Sequence, residues 1–279
     1  MISVERAAGT PEERAALPPA RVVADIGLVA QRNLRKMVRN PRLIVFTTIQ
    51  PFMQLILFAF VFGAVAQIGG GIKYKAFVVP AVLIQTMTFA AMSSGVGVAN
   101  DLDTGMVDRL RSLPIARSAF LVGRTVSDST RLSIQALLLI IAGLCIGFRF
   151  HGGAVGAIGM VFVVVLFGIA LTSFSAWVGL AVGDPETVQA AVFIPILPLV
   201  FTSSAFAPVS RLPGWMQPAA RINPVTAAID SARGLALGDH TLFQISHTHV
   251  HTSLFHFAVW WVAIVGVFTA LAVRRYRIG

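Results

Sequence analysis

Three sets of residues in this sequence have types that could do chemistry. The first is the interval from Asn100 to Arg131. It carries Asp101, Asp103, Asp108, Arg109, Arg111, Arg117, Arg124, Asp128 and Arg131 between strongly apolar segments. Among these charges an apolar series keeps helical spacing: Leu102, Met106, Val107, Leu110, Leu113, then Ile115, Ala119, Phe120 and Val122. A connection of this length with a retained apolar face suits protein docking, in which apolar knobs fill a cleft and charges set the register. The second is Asp184 with Glu186, whose position after Gly183 suits capping of the next helix better than acid–base catalysis. The third is His240, His247, His249, His251 and His256. Imidazole binds zinc and copper, but the alternate spacing of His247, His249 and His251 aligns only on an extended strand, no thiol is near, and Asp239 is the one nearby carboxylate. These are read as interfacial histidines, with no metal site.

Other chemistry lacks its residues. The three lysines, Lys36, Lys73 and Lys75, follow Arg35, Ile72 and Tyr74, so no glycine-lysine phosphate loop exists and the chain cannot be its own P-loop ATPase. No Ser/His/Asp, paired-carboxylate or Cys/His arrangement has catalytic spacing, and no catalytic residue is assigned. Cys145 is single and sits in an apolar run, where it reads as a small buried hydrophobe.

The elements that must position these residues are membrane helices. Hydrophobic residues make up 56% of the 279 and charged ones only 12%, with a mean hydropathy of +0.79. Soluble domains are about one-quarter charged. A crossing needs about 20 apolar residues, and six windows supply them: 44–66, 76–99, 132–148, 154–182, 188–206 and 253–273. The fourth window exceeds one straight crossing and implies tilt or an irregular end. Residues 1–20 read as a disordered leader without a signal-peptide core. Residues 21–41 read as an interfacial amphipathic helix. Arg32, Arg35, Lys36 and Arg39 gather with Asp25 on one face, and Val22, Val23, Ile26, Leu34 and Met37 occupy much of the other. Residues 42–279 form the transmembrane domain. The fold expected is an all-α integral membrane protein of six spans.

The net charge of +10 forms no single patch, so nucleic acid is not an expected partner; membrane lipids are. With both termini inside, sixteen Lys and Arg fall on the cytoplasmic side and six outside: Lys73, Lys75, Arg149, Arg211, Arg221 and Arg233. That asymmetry places Asn100–Arg131 in the cytoplasm. The outer link from Ala207 to Thr252, with Trp215 between prolines, reads as a chain dipping at headgroup level.

Within the windows no Asp, Glu, Lys or Arg occurs. Ion-coupled carriers need such groups, which weighs against a stand-alone secondary transporter or channel, the alternative reading. A membrane-embedded lipid-modifying enzyme, a more distant alternative, would need convergent polar groups in a pocket, and none stands out. Gln50, Gln54, Gln85, Thr88, Ser173 and Ser203 are candidates to line a translocation path, and equally to hold helices together. The pairs Gly143 with Gly147 and Gly179 with Gly183 have small-residue packing spacing.

The run Asp101, Asp103, Gly105, Val107, Asp108, Arg109, Leu110, Arg111, Ser112, Leu113, Pro114, Ile115, Arg117, then Leu121, Gly123 and Arg124, resembles the first cytoplasmic coupling element of type-2 ABC exporter membrane subunits. A second run, Ser204, Phe206, Pro208, Leu212, Pro213, Trp215, Asn223, Pro224, Asp230 and Arg233, resembles that family's segment before its last helix. Ser204 is followed by Ala205 where many relatives carry glycine. The run from Gly147 to Gly152 draws the likeness toward the daunorubicin-resistance group. The resemblance implies the type-2 ABC exporter fold and a permease working with a second copy or a sister subunit. It also implies a cytoplasmic ABC ATPase dimer that carries the ATP and magnesium, with no cofactor on this chain. Asp101, Asp103, Gly105, Asp108, Arg109, Leu110, Arg111, Leu113, Pro114 and Arg117, with Asp184 and Glu186, would face that ATPase. The implied cargo is an amphipathic drug or lipid.

Overall fold

A computed structural model describes the backbone of residues 41–63, 73–105 and 117–278. The leader and nearly all of the amphipathic helix expected over 21–41 lie outside the described residues, as does the centre of the Asn100–Arg131 interval. Among the described residues the chain is helical: α1 (Pro41–Leu57), α2 (Tyr74–Asp103), α3 (Arg117–Cys145), α4 (Gly153–Val182), α5 (Pro185–Phe201), α6 (Gln217–Ile222), α7 (Pro224–Leu237), α8 (Asp239–Ser246) and α9 (Val250–Ile278). A single wide turn, Phe58–Phe62, prolongs α1, and a short 3-10 turn, Val209–Arg211, precedes α6.

Four helices are long and apolar enough to cross a membrane: Tyr74–Asp103, Ser127–Cys145 within α3, Gly153–Val182 and Val250–Arg275. Thr48–Phe62 and Pro185–Phe201 are shorter apolar helices. At 1.5 Å per residue α5 is about 25 Å long, short of the roughly 30 Å hydrocarbon core.

The centre is α4, apolar all round as a helix surrounded by others must be. It runs parallel to α2, because Gly168 meets Met87 and Gly179 meets Gly95 and Val98. It also runs parallel to α9, where Trp261 donates to Leu166 O (2.9 Å) and Phe268 meets Phe174 edge-on. α3 is antiparallel, with Gly143 against Val79 and Asp128 against Ser94. α2 and α4 therefore end together, at Gly105 (φ +64) and Gly183 (φ +82), where glycine accepts left-handed backbone that other residues resist. Outward-facing side chains such as Met53, Leu137, Ile158, Ile194 and Val262 are large, apolar and exposed.

The windows differ from the helices in instructive ways. The third window opens at Leu132, but α3 is helical from Arg117, so Asp128 and Arg131 lie inside a helix. A hydropathy window stops at charges; hydrogen bonding along a helix does not. The fifth window runs to Phe206, but α5 stops at Phe201, where the Thr202 amide donates to Pro198 O and the chain turns. The outer link Ala207–Thr252 is not a peripheral strand of chain. It holds α6, α7 and α8, and every residue of α7 except half-buried Leu235 is buried. Asn223 begins α7, its side chain accepting from Val225 N (2.8 Å) and donating to Leu199 O near the end of α5 (2.7 Å). Gly234 faces Val250 at the start of α9, and Trp260 donates to Ile222 O (2.9 Å). So α7 rises beside α9 and completes the column that α5 leaves short. Trp215 does stay exposed, at 81%.

Candidate functional site

The described part of the coupling interval ends α2. Asp101 is half-buried and Asp103 exposed, Thr104 Oγ1 donates to Asn100 O, and Gly105 closes the helix with its amide on Leu102 O. Asp108, Arg109, Leu110, Arg111, Leu113 and Pro114 lie outside the described residues. Arg117 begins α3. Asp184 and Glu186 stand at the same end of the bundle, because α2 and α4 are parallel. Asp184 caps α5: its Oδ2 accepts from Thr187 Oγ1 (2.5 Å) and Thr187 N (2.7 Å). These bonds, the hydroxyl first, hold its carboxyl below the usual carboxylate range, and the helix N-terminus favours the same anion. Glu186 is exposed in the first turn, so the capping expected of both acids falls to Asp184. Two acidic helix ends therefore flank the described base of the interval.

Deeper in the bundle sits a polar layer that hydropathy conceals. Ser94 Oγ donates to Asp128 Oδ2 (2.5 Å), Arg131 Nη2 donates to Ala90 O (3.0 Å), and Asp128 and Arg131 stand 4.0 Å apart. Behind it, Gly95 N donates to Ser175 Oγ (3.1 Å) on α4. A Cβ on Gly95 would lie 2.4 Å from Ser175 O, and one on Gly179 2.5 Å from Gly95 O. The true partner of Gly179 is thus Gly95 on another helix, while Gly183 is a turn residue. Gly143 packs on Val79, and Gly147 (φ +100) also serves a turn.

At the opposite end Arg233 is wholly buried. Nε donates to Phe77 O (3.0 Å), Nη1 to Ser204 Oγ and Asp230 Oδ1 (both 3.2 Å), and Nη2 to Ser204 O (2.8 Å). Its guanidinium lies 3.6 Å from the Phe77 ring centroid, and Ser204 Oγ donates to Asp230 Oδ1 (3.0 Å). This network ties α7 to α2 and to the turn after α5. Arg233 is therefore not a surface cation marking topology, and Arg131 is not in a loop; removing one cation from each side leaves the charge asymmetry standing. Both pairs have acid and arginine three apart on one helix, the signal that could have found them.

The candidate lining residues scatter. Gln54 Nε2 donates to Gln85 Oε1 (3.0 Å), joining α1 to α2. Thr88, Ser173 and Ser203 each donate to backbone of their own helix or turn, at Ile84 O, Ile169 O and Val200 O, and Gln50 is exposed. Thr172 Oγ1 is buried without a hydrogen-bond partner among the described residues. Cys145 is exposed at the end of α3, contrary to the buried hydrophobe expected, because the helix ends there beside a turn.

Of the histidines, His249 Nδ1 meets Asp239 Oδ2 (2.9 Å) and its ring stacks on Phe243 and His251. Asp239 also accepts the Val250 amide (2.7 Å), chiefly through which its carboxyl is held below the usual range. Among the described residues no three metal-binding side chains converge.

Several long apolar helices around a central one, four of them long and apolar enough to cross a membrane, define a multi-pass integral membrane protein. The chain belongs to the ABC-2 type transporter family, whose model matches residues 24–237, and members of that family are membrane transport subunits rather than enzymes. It is 28% identical over 261 residues to the daunorubicin resistance ABC transporter permease protein DrrB1 of Streptomyces coeruleorubidus, covering 93% of this chain and 89% of that one. To the doxorubicin resistance ABC transporter permease protein DrrB of Mycobacterium tuberculosis (strain ATCC 25618 / H37Rv) it is 30% identical over 165 residues, 59% of this chain and 57% of that one. The likeness to the daunorubicin-resistance group drawn from the motifs holds.

Proposed function

We propose that this chain is the permease subunit of an ATP-driven exporter that moves amphipathic drugs or lipids out across the plasma membrane. The observation that carries the reading is the family match, which includes the whole Asn100–Arg131 interval; the relatives' names supply the drug class. In this reading α1, α2, α3, α4, α5 and α9 are the six spans, with both termini in the cytoplasm and residues 42–279 as the transmembrane domain. A cytoplasmic ATPase dimer holds ATP and magnesium and docks on the part of the interval between α2 and α3, with Leu110 and Leu113 as apolar knobs, Asp108, Arg109 and Arg111 setting register, and Asp184 and Glu186 beside them. A second copy or a sister permease completes the transport path, with lipid around it. ATP-driven closure then tilts α2 and α3 as rigid bodies.

Two measurements test this. Arg109→Ala with Leu113→Ala is expected to lower doxorubicin-stimulated ATP hydrolysis by the co-purified ATPase about tenfold, the scale of losing a docking hot spot, with membrane insertion intact. Unchanged docking and turnover would remove the coupling role. In a Cys145→Ala background, Ser118→Cys is expected to react with an impermeant thiol reagent only from the cytoplasmic side; labelling from outside overturns the orientation. Doxorubicin uptake that follows an ion gradient and ignores ATP would favour a secondary transporter instead.

A further inference from the structure

The two helices that flank the 104–116 connection are joined a second time inside the bundle. Ser94 stands nine residues before the end of α2 and Asp128 eleven after the start of α3, about 14 and 17 Å along the two axes. At that level the Ser94 hydroxyl bonds Asp128, and Arg131, one turn further along α3, bonds Ala90, one turn back along α2. Otherwise each of the two helices packs more extensively on α4 than on the other. At the other end of the pair Lys75 Nζ donates to Ile146 O (3.1 Å) and Gly143 meets Val79, so the Ser94, Asp128, Arg131 and Ala90 contacts are the tie on the side of the connection.

Charge at this depth is a costly way to join helices. The Asp128 and Arg131 side chains stay 14% and 29% exposed, and even this partial removal from water carries a desolvation penalty that apolar side chains of similar size would avoid. What polar contacts add is directionality: a hydroxyl on a carboxylate and a guanidinium on a carbonyl each permit one register. Among the described residues Arg131 Nε is buried without a hydrogen-bond partner. On the far side of α2, Gly95 lets that helix cross α4 backbone to backbone, with Ser175 accepting the Gly95 amide and donating to Met92 O (3.4 Å). Clamp and crossing fall on the same stretch of α2, between Ala90 and Gly95.

We infer that Asp128, with Ser94 and Arg131, consists of positioning residues that make α2 and α3 one lever, which turns at the Gly95–Gly179 crossing on α4. The connection closes the lever at its base and the clamp closes it at mid-bundle, so a push on the connection swings both helices together. Without the clamp the same push splays them, and hydrolysis no longer moves cargo. The inference rests on the coupling reading above for the source of the push, but the clamp itself can be tested on the permease alone.

Spin labels at Asn100→Cys and Ser118→Cys, in the Cys145→Ala background and in lipid vesicles, are expected to give one narrow distance by pulsed electron resonance. Asp128→Asn broadens it, and so does Ser94→Ala, which leaves both charges in place and guards against a misfolded variant. An unchanged distribution in both variants overturns the clamp. In the complex with the co-purified ATPase, Asp128→Asn is expected to keep ATP hydrolysis while doxorubicin moved per ATP falls about tenfold, within the usual range of coupling between sites. Hydrolysis and transport falling together, or neither falling, overturns the lever. Should no ATPase co-purify, the coupling reading fails, and the distances in the permease still decide the clamp.

Discussion

Arg233→Met should be among the most damaging single substitutions in this chain, costing about 3–5 kcal/mol of folding stability, the usual cost of leaving one member of a buried ion pair alone. The guanidinium is fully enclosed and makes all its bonds to protein: Phe77 O, Ser204 O, Ser204 Oγ and Asp230 Oδ1. Methionine fills most of the space but strands the Asp230 carboxylate and two carbonyl oxygens. Arg233→Lys keeps the charge and loses the planar fork that reaches four acceptors at once, so it should fall between wild type and methionine. The informative variant is the double one. Asp230→Asn with Arg233→Met removes both charges, and should recover a large part of the loss. Denaturant unfolding in detergent micelles, followed by tryptophan fluorescence, gives the four corners of the cycle. If the double variant is as unstable as the sum of its parts, Arg233 and Asp230 do not act as a pair.

The same pair shows where sequence reading stops. Among the described residues each apolar window overlaps a helix, four of these helices being long and apolar enough to cross a membrane, because a crossing must satisfy its own backbone and so repeats one simple composition. The ends are less legible. Asp128 and Arg131 read as part of the connection, since charge lowers a hydropathy average whether or not a partner neutralises it. Segment 224–237 falls in the outer link, read as chain dipping at headgroup level, by the same averaging: Asn223, Pro224, Asp230, Arg233 and Gly238 lower its hydropathy. Asn223 and Pro224 are in fact a helix start, with the side chain on Val225 N and proline in the first turn. The coupling residues named by resemblance could be ordered along the chain but not placed in space. Only their flanks, Asp103, Gly105 and Asp184, have defined caps and turns, and these rest on local rules that sequence does carry. Likewise the spacing of Gly179 and Gly183 suggested one packing ridge, whereas the close contact is with Gly95, more than eighty residues earlier and invisible to any local pattern.

That contact sets up two destabilising alanine substitutions, with a third of opposite sign at a glycine away from it. At Gly95 a methyl group would sit 2.4 Å from Ser175 O and 2.5 Å from Ser175 Oγ; at Gly179, 2.5 Å from Gly95 O. Backbone oxygen cannot rotate away as a side chain can, so α2 and α4 must separate, and Gly95 N would then give up its bond to Ser175 Oγ. Overpacking of this kind costs about 1–3 kcal/mol, and the two sites share one contact, so their effects should not add. Gly266, on α9, has no atom within 4 Å of a Cβ and no positive φ. There alanine should stabilise by roughly 0.5–1 kcal/mol through helix propensity alone. Apparent melting temperatures of the purified protein should therefore fall by several degrees for Gly95→Ala and Gly179→Ala and hold or rise for Gly266→Ala. Equal shifts at all three would mean that the crossing is not close. A Gly95→Ala protein that folds but exports poorly would add that the crossing bears motion as well as load, since a lever needs its fulcrum in contact.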